Sequence, residues 1–144
     1  LIERVGLDVR LHSARTRVTA TLSLRANPAV AGDGPLVLDG DELRLKAIAM
    51  DGRALRADEY RASPDALVIH APPRGAFTLE IETEIDPTSN TKLMGLYRSG
   101  GNYCTQCEAE GFRRITYFLD RPDVLAVYTT RIEADREEAP VLLA

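Results

Sequence analysis

Apolar and polar residues alternate with a period of two over much of this chain. Val5, Leu7, Val9 and Leu11 alternate with Gly6, Asp8, Arg10 and His12. Val18, Ala20, Leu22 and Leu24 alternate with Arg17, Thr19, Thr21, Ser23 and Arg25, and Phe77, Leu79, Ile81, Thr83 and Ile85 with Thr78, Glu80, Glu82 and Glu84. A strand sends successive side chains to opposite faces, so this alternation predicts strands with one buried and one solvated face, as in antiparallel sheets. Shorter strands are expected over 36–38, 43–50, 67–70, 95–98 and 125–134.

Turn residues punctuate these runs: Asp33-Gly34-Pro35, Asp39-Gly40, Asp51-Gly52, Ser63-Pro64-Asp65, Pro72-Pro73-Arg74-Gly75 and Asp86-Pro87-Thr88-Ser89. Each group favours chain reversal, through fixed φ at proline, freedom at glycine or side-chain bonds from Asp and Ser. One short helical turn is expected from Asp120-Arg121-Pro122-Asp123, with Asp120 as its cap and Pro122 in its first turn. The resulting fold class is all-β: an antiparallel saddle or sandwich of packed sheets with little helix, one domain over residues 1–144.

Composition narrows the function. At 144 residues, 44% hydrophobic and 28% charged, the chain can bury a core of its own. A net charge of −4 offers no basic face to a nucleic acid or an anionic membrane, so neither partner is expected. No apolar run approaches the roughly 20 residues of a membrane helix, and no secretory leader pattern opens the sequence. The start at Leu1 and the close at Val141-Leu142-Leu143-Ala144 read as edges of a piece from a longer chain. Two cysteines form no disulfide framework, which fits a cytoplasmic location. Asp135-Arg136-Glu137-Glu138 reads as a solvated strand end or loop.

Few residues can do chemistry. His12 and His70 sit in strand-like contexts without a second ligand nearby, and read as surface or structural residues. No zinc-binding His-Glu-x-x-His, no Gly-x-Ser-x-Gly and no phosphate or dinucleotide loop is present. No catalytic residue and no metal ligand is therefore expected in this chain. Cys104-Thr105-Gln106-Cys107 has a redox or metal spacing, but no second ligand pair completes a metal site and no βαβ context supports a redox helix. Structural thiols are the simpler reading.

The segment around those cysteines is the distinctive one. It carries Gly95-Leu96-Tyr97, then Cys104-Thr105-Gln106-Cys107-Glu108-Ala109-Glu110-Gly111-Phe112-Arg113, then Tyr117-Phe118-Leu119-Asp120-Arg121-Pro122-Asp123-Val124. Thr129-Thr130-Arg131-Ile132-Glu133-Ala134-Asp135 continues the pattern. In these runs the chain closely resembles the bacterial aminopeptidase N family of zinc exopeptidases, in detail over its last third and in strand pattern throughout. The resemblance implies an N-terminal β-saddle resting on a thermolysin-like catalytic domain of the same polypeptide. It implies that Glu108 binds the free α-ammonium of a peptide substrate and that Gln106 lines the pocket for the first side chain. Zinc, its ligands and the catalytic groups would belong to the following domain, so the isolated piece should fold without turning over substrate.

The residue types suit that role. An ammonium presents one charge and three donors, and a fixed carboxylate recognises it through charge-assisted hydrogen bonds. A blocked or internal peptide cannot repay the desolvated carboxylate. Glu110 is expected to be structural, paired with Arg113 or Arg114. A partly apolar face for the catalytic domain is expected on residues 93–97 and 112–119. The competing reading is a free-standing β-sandwich that binds protein or carbohydrate, and a third is a small redox or metal module on Cys104 and Cys107.

Overall fold

A computed structural model describes residues 1–29 and 34–142, so Asp33 of the first expected turn, and Leu143 and Ala144 of the closing run, lie outside the described residues. The three clean alternations form the three longest strands: β1 (Ile2–Arg10), β2 (Thr16–Leu24) and β8 (Phe77–Ile85). Between them run β3 (Leu36–Asp39), β4 (Arg44–Met50), β5 (Arg53–Ala54), β6 (Tyr60–Ser63) and β7 (Ala66–Ile69). After β8 come β9 (Gly95–Ser99), β10 (Asn102–Gln106) and β11 (Val127–Glu133). Among the described residues they form a sheet ordered β11-β1-β2-β8-β4-β5, a three-stranded sheet β3-β7-β6 and the hairpin β9–β10. The all-β expectation holds.

The core follows from register. Ala20 faces Ile81 and Leu22 faces Leu79 across the β2–β8 ladder, so the apolar side chains of both strands fall on one side. Leu22, Leu38, Leu67, Ile69, Leu79 and Ile81 are fully buried there. Thr83 shares the buried face, and its hydroxyl donates to the carbonyl of Ile115 at 3.0 Å, which fastens the later segment to the main sheet. Tyr117 completes the core with its hydroxyl donating to the Ser63 carbonyl at 2.7 Å. Burial, and then the charge of Asp65, push that phenol up to about 12.

Three expectations are corrected. The main sheet is not wholly antiparallel: β11 lies parallel to β1, with Val5 opposite Tyr128 and Val9 opposite Ile132. Alternation reports which face is buried and not the direction of the neighbouring strand, and a parallel partner needs a long crossover, here most of the domain. No helix opens at Asp120. Residues 121–124 make a single turn closed by the Val124 N–H donating to the Arg121 carbonyl at 3.1 Å. The helical element is instead a 3₁₀ turn at Phe112–Arg114, because the Asp120 carboxylate is taken by the backbone N–H of Arg113 at 3.0 Å.

The third correction concerns the apolar face. Leu93 is 54% exposed, but Leu96, Ile115, Tyr117 and Phe118 are buried within the domain. On and just before β11, Leu125 at 84%, Val127 and Tyr128 are exposed, as are Val141, Leu142, Leu1 and Val37 elsewhere. The apolar side chains Ile115, Tyr117 and Phe118 serve this core, and apolarity alone does not say which surface a segment covers.

Candidate functional site

The Gln106–Glu108 segment leaves a hairpin built for a sharp reversal. Gly100 and Gly101 make the tip, and β9 and β10 pair from Asn102–Ser99 down to Gln106–Gly95. At Gln106 the ladder ends, and residues 107–111 form a tight loop closed by the Gly111 N–H donating to the Cys107 carbonyl at 2.9 Å. A side chain at Gly111 would stand 2.5 Å from the Gln106 carbonyl oxygen and 2.9 Å from the Cys107 Cα, so only glycine lets the two ends of the loop touch. Gly95, at φ +69°, similarly admits the Arg114 side chain, whose Cβ would lie 2.6 Å from an added methyl.

Gln106 and Glu108 are both exposed at this loop. The Gln106 side-chain amide donates to the Glu108 backbone carbonyl at 2.7 Å, so the two expected site residues are joined by a direct bond. The Glu108–Ala109 peptide bond is cis. Among the described residues, the Glu108 carboxylate takes no hydrogen bond or ion pair. Glu110 stands in the left-handed region at φ +68° and reaches Arg113 at 3.4 Å, which makes Arg113 its partner as expected.

Two adjacent arginines bind the far end of the loop to the body, each to a different acidic group. Arg113 donates from Nε to Asp120 Oδ2 at 3.2 Å and from Nη2 to the Asp120 carbonyl at 2.9 Å. Burial works against its charge, but Asp120, Asp39 and Glu110 outweigh it and hold the guanidinium above its usual value. Arg114 has a side chain only 5% exposed, with Nη2 2.6 Å from Glu42 and Nη1 2.7 Å from Asp41. The Asp41 contact at Nη1 is a close ion pair. Lys92 reaches the same two carboxylates at 3.0 and 3.1 Å. For Glu42, Arg114 and then Lys92 hold the carboxyl below its ordinary range, and for Asp41 the same cations overcome an opposing effect of burial.

Asp39 and Asp120 carry no functional role in the sequence reading, where they are turn and cap residues, and Asp41 is not singled out there. The available signal is the pair Arg113-Arg114 in a segment that is otherwise largely buried, since buried cations need acidic partners. Nothing in the sequence indicates that Asp41 and Glu42, some seventy residues upstream, would be those partners.

Cys104 and Cys107 are both free thiols. Burial, and then the charge of Asp120, push the Cys107 thiol up, which suits a packed thiol and opposes a reactive thiolate. His12 and His70 are exposed, and His70 Nδ1 bonds the Asp58 carbonyl at 2.9 Å. Among the described residues, no group of three or more His, Cys, Asp or Glu side chains could hold a metal ion, and no helix is long and apolar enough to cross a membrane. A cavity of about 580 Å³ separates the hairpin from β1 and β11, lined by Leu7, Val9, Tyr103, Phe112 and Ile132 among others. Gln106 and Glu108 are not part of its wall.

Residues 4–144 match the family model described as the Peptidase M1 N-terminal domain. The chain is 57% identical over 134 residues to an aminopeptidase N of Caulobacter vibrioides, covering 93% of this chain and 15% of that protein. It superposes with a TM-score of 0.90 on Legionella pneumophila aminopeptidase A, solved in complex with aspartic acid, at 36% identity over 99% of this chain and 17% of that one. An M1 zinc metallopeptidase of Deinococcus radiodurans, solved with a Tyr-Ser-Ala substrate, shares the fold at a TM-score of 0.74 and 19% identity, over 92% of this chain and 32% of that one. The chain thus spans about 15% of the length of the first of these relatives.

Proposed function

The chain belongs to the Peptidase M1 N-terminal domain family, and on that premise we propose that it is the substrate-anchoring domain of a zinc-dependent aminopeptidase that removes N-terminal residues from peptides. Zinc and the hydrolytic groups come from a catalytic domain of the same polypeptide. Among the described residues no group of three or more His, Cys, Asp or Glu side chains could hold a metal ion, which is consistent with the metal lying in the other domain. This domain's part is recognition: Glu108 takes the free α-ammonium, and Gln106, beside it, contributes to the pocket for the first side chain. The family match favours this reading over a free-standing sandwich that binds protein or carbohydrate. Two unpaired thiols suit a cytoplasmic enzyme.

One observation carries the assignment. Most acidic side chains near this loop are spent on arginines, yet the Glu108 carboxylate stays uncommitted on a loop fixed at both ends. An uncommitted carboxylate is available to a cation brought by a ligand, and covering it with a second domain strengthens that attraction by excluding water.

Steady-state kinetics of the full-length enzyme on an unblocked aminoacyl substrate test the reading. Removing one side of a desolvated charge pair costs about 2–5 kcal/mol, so Glu108→Ala should lower kcat/KM by roughly 30-fold to several thousand-fold with zinc content unchanged. Glu108→Gln should fall between wild type and alanine, and Glu110→Ala should change little. A Glu108→Ala enzyme within about threefold of wild type, well under the loss of an anchoring charge, refutes the assignment.

A further inference from the structure

We propose that Asp120 is a positioning residue for Glu108, acting through Arg113; this rests on Glu108 being the carboxylate that meets the substrate ammonium. The loop carrying Glu108 hangs between two anchors. Upstream, Gln106 ends β10 in register with Gly95, and its side chain holds the Glu108 carbonyl. Downstream, the chain enters the 3₁₀ turn, and Arg113 is the first cation past the loop.

Three bonds join Arg113 to Asp120. The Arg113 backbone N–H and its Nε both donate to Asp120 Oδ2, and Nη2 donates to the Asp120 carbonyl. Asp120 is buried, and its own N–H donates to Asp39 Oδ2 at 3.2 Å. Asp39 in turn exchanges two backbone bonds with Phe118, at 2.7 and 3.0 Å, so the clamp is tied to β3 and not to the solvated hairpin. The Arg113 carbonyl closes the frame by accepting the Asp41 N–H at 3.0 Å.

The connection back to Glu108 is short. Gly111 donates to the Cys107 carbonyl, and it lies so near the Gln106 carbonyl and the Cys107 Cα that an added side chain would clash with both. A displacement of Arg113 therefore passes through Gly111 to Cys107, the residue before Glu108. The Glu110–Arg113 pair spans the same gap, but Glu110 is 59% exposed, and such pairs hold little. The buried carboxylate of Asp120 is the part that fixes geometry. It accepts a main-chain donor and a guanidinium donor on one oxygen, and bonds to an ionised acceptor are stronger than neutral ones.

The test is a double-mutant cycle in the full-length enzyme, with kcat and KM measured on an unblocked aminoacyl substrate and with thermal midpoint and zinc content recorded. Misplacing a recognition group by about 1 Å costs up to about a hundredfold. Asp120→Asn, which keeps the shape and loses the charge, should lower kcat/KM by about tenfold, mostly through KM, and Asp120→Ala by more. In a Glu108→Ala background the same substitutions should cost less than about twofold further, because residues that act through one group are not additive. Should Asp120→Ala fail to fold, Asp120→Asn and Arg113→Lys carry the cycle. Losses that multiply in the double variant, or an Asp120→Asn enzyme within about twofold of its parent, overturn the proposal. A Glu108→Ala enzyme of normal activity refutes instead the reading on which it rests, and the same data separate the two failures.

Discussion

The β2–β8 ladder and the loop from Cys107 to Gly111 lie in the same domain but are held by different forces. The ladder runs through nine consecutive pairs, from Thr16–Ile85 to Leu24–Phe77, and every second pair turns its side chains into the core. Stability there is shared among many contacts, and no single polar bond decides it. The loop has almost no apolar burial of its own. Its shape depends on a few directed bonds: Gln106 to the Glu108 carbonyl, Gly111 to Cys107, and the Arg113–Asp120 clamp beyond it. The first region sets whether the domain folds. The second sets where one carboxylate stands, and it can be altered with little cost to folding.

That contrast can be tested in order of effect on stability. Leu22 and Leu79 face one another fully buried. Leu22→Ala leaves a cavity in the sheet core and should cost about 2–5 kcal/mol, read as a lower urea midpoint. Arg114→Met comes next. It removes a buried cation whose partners Asp41 and Glu42 remain partly solvated and keep Lys92. The loss should therefore be about 1–3 kcal/mol, below that of a wholly buried pair.

The Arg114 variant also has a pH signature. Asp41 and Glu42 have folded-state values held below those of the unfolded chain. They add stability above the ordinary carboxylate range near about pH 4 and lose it as pH falls through their depressed values. Denaturation midpoints measured from neutral to acid pH should therefore drop less steeply for Arg114→Met than for the parent. A parallel acid limb in the two proteins would show that Arg114 does not hold these carboxyls down. The smallest effect should come from the site. Glu108→Ala and Glu110→Ala should each shift stability by no more than about 0.5 kcal/mol, since one carboxylate is unpaired and the other makes a solvated pair.

Sequence reading was strong in one of these regions and uneven in the other. Strands β1, β2 and β8 were legible because their alternation directly encodes a half-buried sheet, and the turn groups marked many of their reversals. The Thr105–Arg113 run pointed to a family, and through it to Gln106 and Glu108, whose contact the structure adds. The parallel β11 was not legible, since Val127–Glu133 carries no mark of strand direction. Asp120 looked like a helix cap because capping and clamping use the same carboxylate, and only the tertiary fold brings Arg113 to it first. Residues 112–119 looked like an interface because an apolar segment reads the same whether its cover is this domain or another. Asp41 and Glu42 were legible only as turn neighbours, because ion pairing across such a separation leaves no local pattern.

The parallel pairing of β1 with β11 also has a consequence for how the domain is made. Residues 4–10 must wait for residues 127–133, so the sheet's last ladder is among its most non-local contacts. Contacts of such high sequence separation form slowly, because chain entropy is lost before they give anything back. During vectorial synthesis β1 can pair with β2 early, but its outer edge stays open until nearly the whole domain has left the ribosome. An unpaired strand edge is a template for intermolecular association. When β11 arrives it covers β1 but becomes the edge strand itself, so among the described residues its late pairing moves the open edge outward, onto a strand that carries the exposed Val127 and Tyr128.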